Sequence, residues 1–231
     1  MVKTKHAEYY QLYIWELPTR FFHWLNALCV FTLGVTGFFI AKPLPILSAG
    51  DASSQYLFGI NRFIHFLFAY IFTLNFIGRL YWGFVGNSFV RWKNFFPRKK
   101  EKWREMLQVF CMDILLICKL PVKSTGINAL AGIVYSFIYL AIIFQIFTGF
   151  ALYSIMSPSW FPRLFSWVIP FMGGISVVKH WHHLFTWVFV AFTIFHIYLS
   201  WYHDYLEGRG TISSMIGGWK FIEKTPEMRI K

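Results

Sequence analysis

The chain has 231 residues, of which 57% are hydrophobic, 22% aromatic and only 14% charged. Soluble domains run about 45–50% apolar and about 25% charged, so this composition excludes a soluble enzyme and points to an all-α integral membrane protein. The formal charge of +12 would suit a nucleic-acid surface, but the basic residues flank apolar runs. The positive-inside rule explains that pattern better, so membrane lipid and no nucleic acid is the expected partner.

The first 20 residues are polar, and no cleavable signal peptide is read there, so the first span is expected to stay in place. That span covers residues 21–40, about the 20 apolar residues that cross a bilayer core. His23 falls in its first turn, and Gly37 lies fourteen residues further on. Fourteen residues at about 100° each fall roughly 40° short of four turns, so the two share nearly one face. A glycine there lets a flat ring approach the backbone.

The second span covers residues 62–85. His65 is in its first turn, and Arg79 is again fourteen further on, on the same face. A lone arginine deep in a span needs a partner, and a haem propionate or a quinone oxygen would serve. Residues 86–125 are strongly basic and are therefore assigned to the cytoplasm. Within them the apolar stretch 106–120 is too short for a span and contains Asp113, so it is expected as an interfacial helix.

The third span, residues 128–155, has no charge and no histidine. It contains Gln145 and a Thr148-Gly149 pair that echoes Thr36-Gly37. The connection 156–179 is rich in Trp and Phe and is expected on the outer surface. The fourth span covers residues 181–202, and the tail after it is basic. Four spans with a basic second connection and tail place both termini in the cytoplasm, in one transmembrane domain over residues 1–231. Of three cysteines, Cys29 lies in an apolar run, while Cys111 and Cys118 lie between spans. No C-x-x-C occurs, which argues against iron–sulfur, zinc or covalently attached haem.

The fourth span carries the most informative pattern. His182 and His196 are fourteen apart, so their imidazoles leave nearly one face, roughly 21 Å apart along the axis. His180 and His183 do not share that face with His196, although either could replace His182 if the helix starts irregularly. Ionisable groups within spans are rare and point to function. The topology then sorts the histidines by level. His65 and His182 fall near the outer surface, and His23 and His196 nearer the inner one. Such pairs suit two b haems stacked across the membrane, each iron held by two imidazoles and so passing electrons rather than binding oxygen. His203, seven residues after His196, is either a rival inner ligand or part of a quinone pocket. The histidine spans could also be read as interhelical hydrogen bonding, and Gly37 and Gly149 as close-packing points.

Several stretches together resemble a known family. They are Arg20-Phe-Phe-His-Trp-Leu-Asn-Ala through Leu33-Gly-Val-Thr-Gly37; His65 with Arg79-Leu-Tyr-Trp-Gly-Phe-Val-Gly-Asn87; and Gly126-x-Asn128-Ala-Leu-Ala131 with Thr148-Gly-Phe-Ala-Leu-Tyr153. Two more are His182-His-Leu-x-x-Trp187 through His196-x-Tyr198 and Arg209-Gly-Thr-Ile-Ser-Ser-Met-Ile-Gly-Gly-Trp219. In order and over nearly the whole chain, these are similar to the b-type cytochrome subunit of membrane-bound nickel–iron hydrogenases. The wider superfamily includes formate dehydrogenase and thiosulfate reductase cytochromes.

The resemblance implies a bacterial cytoplasmic (inner) membrane subunit with two b haems. Its partners would be a small iron–sulfur subunit and a large nickel–iron subunit on the outer face. Electrons from hydrogen would cross to menaquinone or ubiquinone near the cytoplasmic side, and this chain would hold no hydrogen-activating site. Ile127 stands where relatives commonly have His, which leaves Asn128, His203, Asp204 and Arg79 as the quinone-site candidates. Rival readings are the same scaffold serving another dehydrogenase, a free-standing diheme quinone oxidoreductase, and a transporter or plain anchor. A transporter needs a polar midplane site, and apart from Asn75 the span centres are apolar.

Overall fold

A computed structural model describes residues 9–43, 56–97, 99–113 and 125–223. Four helices are long and apolar enough to cross a membrane: α1 (Leu17–Ala41), α2 (Tyr56–Val85), α4 (Ala129–Ser154) and α7 (Ile175–Glu207). Between them lie α3 (Lys100–Asp113), α5 (Trp160–Arg163) and α6 (Val168–Met172); α8 (Thr211–Gly217) follows α7. The all-α membrane bundle expected from the sequence is the observed fold class. A short antiparallel sheet, not expected from the sequence, is also present. Its strands are β1 (Tyr9–Tyr13) and β2 (Trp219–Glu223), with Tyr9 opposite Glu223 and Tyr13 opposite Trp219.

The long helices overrun the expected spans, for local reasons. Helix α1 starts at Leu17 rather than 21, because Pro18 falls in the first turn, where its missing N–H costs no hydrogen bond. Helix α2 starts at Tyr56 rather than 62. Arg62 does not end it, since its guanidinium lies 4.4 Å from the centre of the Phe58 ring one turn earlier. Helix α7 starts at Ile175, just after Gly173 and Gly174, and continues to Glu207. It stops where Gly208 takes φ 60°, and the Gly208 N–H donates to the Asp204 carbonyl at 3.0 Å. Helix α4 matches its expected span to within a residue at each end.

The interfacial helix expected over 106–120 is seen as α3, which begins at Lys100; residues 114–120 lie outside the described residues. Helix α3 buries Val109 and Met112 and exposes Trp103 and Leu107.

The described residues form two compact units: those within 1–21, 81–135 and 195–231 make one, and those within 22–80 and 136–194 the other. The second unit has a core of Cys29, Phe72, Phe76, Ile138, Ala141, Ile142 and Phe189. Its outward positions are equally apolar: Phe31, Phe63, Leu74 and Leu140 are each more than 60% exposed. A surface of that kind is matched to lipid rather than water.

The first unit is held by polar contacts near the helix ends. The Glu16 carboxylate accepts from Trp82 Nε1 and from the Asn87 N–H, each at 3.0 Å. Asn87 Nδ2 donates to the Ile14 carbonyl at 2.8 Å. The Ile14 and Trp15 N–H groups donate to the Gly218 carbonyl at 2.9 and 3.2 Å. Two of the stretches that carry the family resemblance, Tyr81–Asn87 and Arg209–Trp219, are therefore fold-building segments.

Candidate functional site

Helices α1 and α4 each carry a Thr-Gly pair in their C-terminal part, and each presents that pair to a histidine on another helix. In the second unit, Thr36 Oγ1 lies 2.8 Å from His65 Nδ1, and Thr148 Oγ1 lies 2.9 Å from His182 Nδ1. Both threonines are buried. The adjacent glycines are the reason the rings fit. A Cβ at Gly37 would stand 3.3 Å from His65 Cε1, and one at Gly149 only 3.0 Å from His182 Cε1. The close approach seen at both glycines is thus made by an imidazole edge.

The hydrogen-bond pattern sets the state of the rings. Thr36 Oγ1 donates to the Thr32 carbonyl at 2.6 Å, and Thr148 Oγ1 donates to the Phe144 carbonyl at 2.8 Å. A hydroxyl has one hydrogen to give. With that hydrogen committed to the helix, each threonine accepts from Nδ1–H. The lone pair of each imidazole then sits on Nε2. At His182 the Gln145 amide Nε2, a donor, lies 3.5 Å from the ring Nε2 and 3.0 Å from the His182 carbonyl. A donor facing Nε2 fits an unprotonated nitrogen there. Neutral imidazole with its lone pair on Nε2 is the form that ligates iron.

The structure distinguishes within the histidine cluster. His182 is half-buried, whereas His180 and His183 are exposed, and His183 meets the edge of the Phe38 ring. His65 and His182 belong to the same unit and lie within electrostatic range of each other. His23 is half-buried in that unit too, with the Trp24 ring 5.2 Å away. His196 belongs to the first unit, where the Tyr135 ring lies 6.1 Å from its own. Arg79 is buried in the second unit. It hydrogen-bonds the Tyr139 side chain, and its guanidinium lies 5.9 Å from that ring's centre. Asn75, the polar residue at a span centre, is also buried there. It donates to Asn26 Oδ1 at 2.6 Å and to the Phe22 carbonyl at 3.0 Å, tying α2 to α1 beside His23.

The quinone-site candidates already have structural tasks. Asn128 caps α4, its Oδ1 accepting from the Ala131 N–H at 2.7 Å. The Asp204 carboxylate accepts from the Thr211 N–H at the start of α8. His203 Nδ1 lies 3.7 Å from the Glu207 carboxylate, which lies 3.2 Å from Lys220 Nζ on β2. The side chains of Glu207 and Lys220 are both buried; the sequence shows Lys220 only as one of the basic residues of the tail.

Thr36, Thr148 and Gln145 are the other residues that sequence reasoning passed over as partners of the histidines. The repeated Thr-Gly was the available signal, and it was read only for its glycines. Asn61 adds to the first clamp: its Nδ2 donates to the Thr36 carbonyl at 3.0 Å, one turn before His65.

The model of a family described as prokaryotic cytochrome b561 matches residues 14–218. The chain is 39% identical over 215 residues to a protein of Azotobacter chroococcum mcd 1 named "Probable Ni/Fe-hydrogenase B-type cytochrome subunit", covering 92% of this chain and 89% of that one. A protein of the same name from Cupriavidus necator is 38% identical over 90% of this chain and 86% of its own. In Escherichia coli K12, the "Probable Ni/Fe-hydrogenase 1 B-type cytochrome subunit" is 36% identical over 90% of each chain.

Proposed function

The chain belongs to the prokaryotic cytochrome b561 family, and from that premise we propose that it is the b-type cytochrome subunit of a membrane-bound nickel–iron hydrogenase. In this role it carries two haems and passes electrons from peripheral hydrogen-oxidising subunits to membrane quinone. The observation that carries the reading is the shared design around His65 and His182: two imidazoles from different helices, each with Nδ1 anchored to a threonine and its lone pair on Nε2. Donor chemistry of this kind fits haem iron. The two rings are also seated edge-on against glycines, at distances that a side chain there would crowd.

His65 and His182 would hold the iron near the outer surface, and His23 and His196 the iron near the inner one. A bound b haem supplies a one-electron iron couple, and two imidazole ligands leave no open position for oxygen. The protein's own residues orient those imidazoles, exclude water with the surrounding Phe and Leu side chains, and neutralise acidic groups with Arg79. Quinone would be reduced on the side of the first unit that carries His203, Glu207 and Lys220. That side would be cytoplasmic, as would both termini, in a bacterial inner membrane. The partners would be an iron–sulfur small subunit and a nickel–iron large subunit. The hydrogenase reading is preferred over formate dehydrogenase or thiosulfate reductase because the relatives reported above carry the name of a Ni/Fe-hydrogenase B-type cytochrome subunit.

The test is affinity purification of the tagged chain in mild detergent, followed by an optical spectrum and metal analysis. Two b haems per chain travelling with nickel and iron are expected. A colourless chain refutes the cytochrome, and a molybdenum partner refutes the hydrogenase.

A further inference from the structure

The duplicated Thr-Gly element is not needed for packing alone. An alanine beside each glycine would let the helices approach as closely, yet both positions carry a buried hydroxyl aligned on a ring nitrogen. We propose that Thr36 and Thr148 are positioning residues that fix the tautomer of both axial ligands of one haem and hold its potential down.

The argument starts from the hydroxyl's single hydrogen, which the helix carbonyl takes: Thr32 for Thr36 and Phe144 for Thr148. Each oxygen is then left as an acceptor, 2.8 Å from His65 Nδ1 and 2.9 Å from His182 Nδ1. Accepting from Nδ1–H pushes electron density toward Nε2 and makes the ring a stronger donor. A stronger donor favours ferric over ferrous iron, so the potential falls. The bond to the helix carbonyl polarises the hydroxyl and makes it a better acceptor. The glycines complete the device by admitting the ring edge to within 3.3 Å at position 37 and 3.0 Å at position 149 of where a Cβ would be.

The device occurs twice, from α1 onto α2 and from α4 onto α7. In each case the histidine lies on a span that follows the one bearing the threonine. Both ligands assigned to the outer iron are therefore tuned in the same sense. That this is one haem rests on the pairing of His65 with His182 proposed above.

The experiment uses the intact complex in detergent, with potentiometric titration of both haems and low-temperature electron paramagnetic resonance. Thr36→Val and Thr148→Val keep the side-chain volume and remove the hydroxyl; Thr36→Ser and Thr148→Ser keep the hydroxyl. The expected result is an upward shift of one haem's potential in each valine variant, a larger shift in the double variant, and a wild-type potential in each serine variant. A valine variant that loses one haem while its serine counterpart retains it at wild-type potential also supports the proposal. Valine variants with wild-type potentials and spectra overturn it, as do serine variants perturbed as much as the valine ones. If Thr36→Val moves one haem and Thr148→Val the other, the tuning stands and the pairing of His65 with His182 falls.

Discussion

Adding a single methyl group at position 149 should disturb the outer haem more than the same change at Gly37 or Gly34. The Cβ of Gly149→Ala would stand 3.0 Å from His182 Cε1, 3.8 Å from Nδ1 and 3.9 Å from Nε2. Ordinary contact begins near 3.4 Å, so the ring must retreat by a few tenths of an ångström or the helices must part. Overpacking of that kind costs about 1–3 kcal/mol. The retreat also stretches the 2.9 Å bond from Nδ1 to Thr148. A neutral hydrogen bond is worth about 1 kcal/mol. For a one-electron couple about 59 mV is a tenfold change, so losing a bond that is stronger in the ferric form raises the potential by at most roughly 40 mV.

Gly37→Ala meets His65 Cε1 at 3.3 Å and should do the same more weakly, while Gly34→Ala meets nothing within 4 Å. The last change replaces a poor helix former by the best one, a gain of about 0.5–1 kcal/mol. The assay is optical redox titration of the purified complex, with thermal unfolding followed at the Soret band. The expected order of perturbation is 149 above 37 above 34, confined to one haem. A Gly149→Ala protein indistinguishable from wild type, or one no more perturbed than Gly34→Ala, would refute the close seating of the ring.

Other outcomes follow from the same geometry. His65→Ala and His182→Ala should each remove the same haem and largely spare the second, as counted by pyridine haemochrome and redox titration. Asn128→Ala should cost about 1 kcal/mol by removing the α4 cap, seen as a lower melting temperature with haem content unchanged. Glu207→Gln leaves Lys220 buried without its counter-charge, and breaking a buried pair costs about 3–5 kcal/mol. The Glu207→Leu, Lys220→Met double variant should recover much of that loss in a detergent melt. Glu16→Ala removes the acceptor of two hydrogen bonds and should destabilise the first unit by about 1.5–3 kcal/mol for each bond to a charged group, read as faster proteolysis near residues 9–16 and 82–87.

The number and order of the spans were legible in the sequence because hydrophobicity over about 20 residues is a local property. So were the special standing of His182 among three neighbouring histidines and the echo of Thr36-Gly37 in Thr148-Gly149, since both depend only on helical periodicity. What the sequence could not supply was who meets whom. The 29 residues separating Thr36 from His65 and the 34 separating Thr148 from His182 carry no periodic signal across helices. Only packing decides that a glycine edge receives an imidazole and that the neighbouring hydroxyl faces Nδ1. Packing also decided that Asn128 caps α4, that Asp204 accepts from the first N–H of α8, and that Glu207 and Lys220 meet in the interior. The β1–β2 ladder joins positions more than two hundred residues apart, and such pairing depends on the ends of the chain meeting in space.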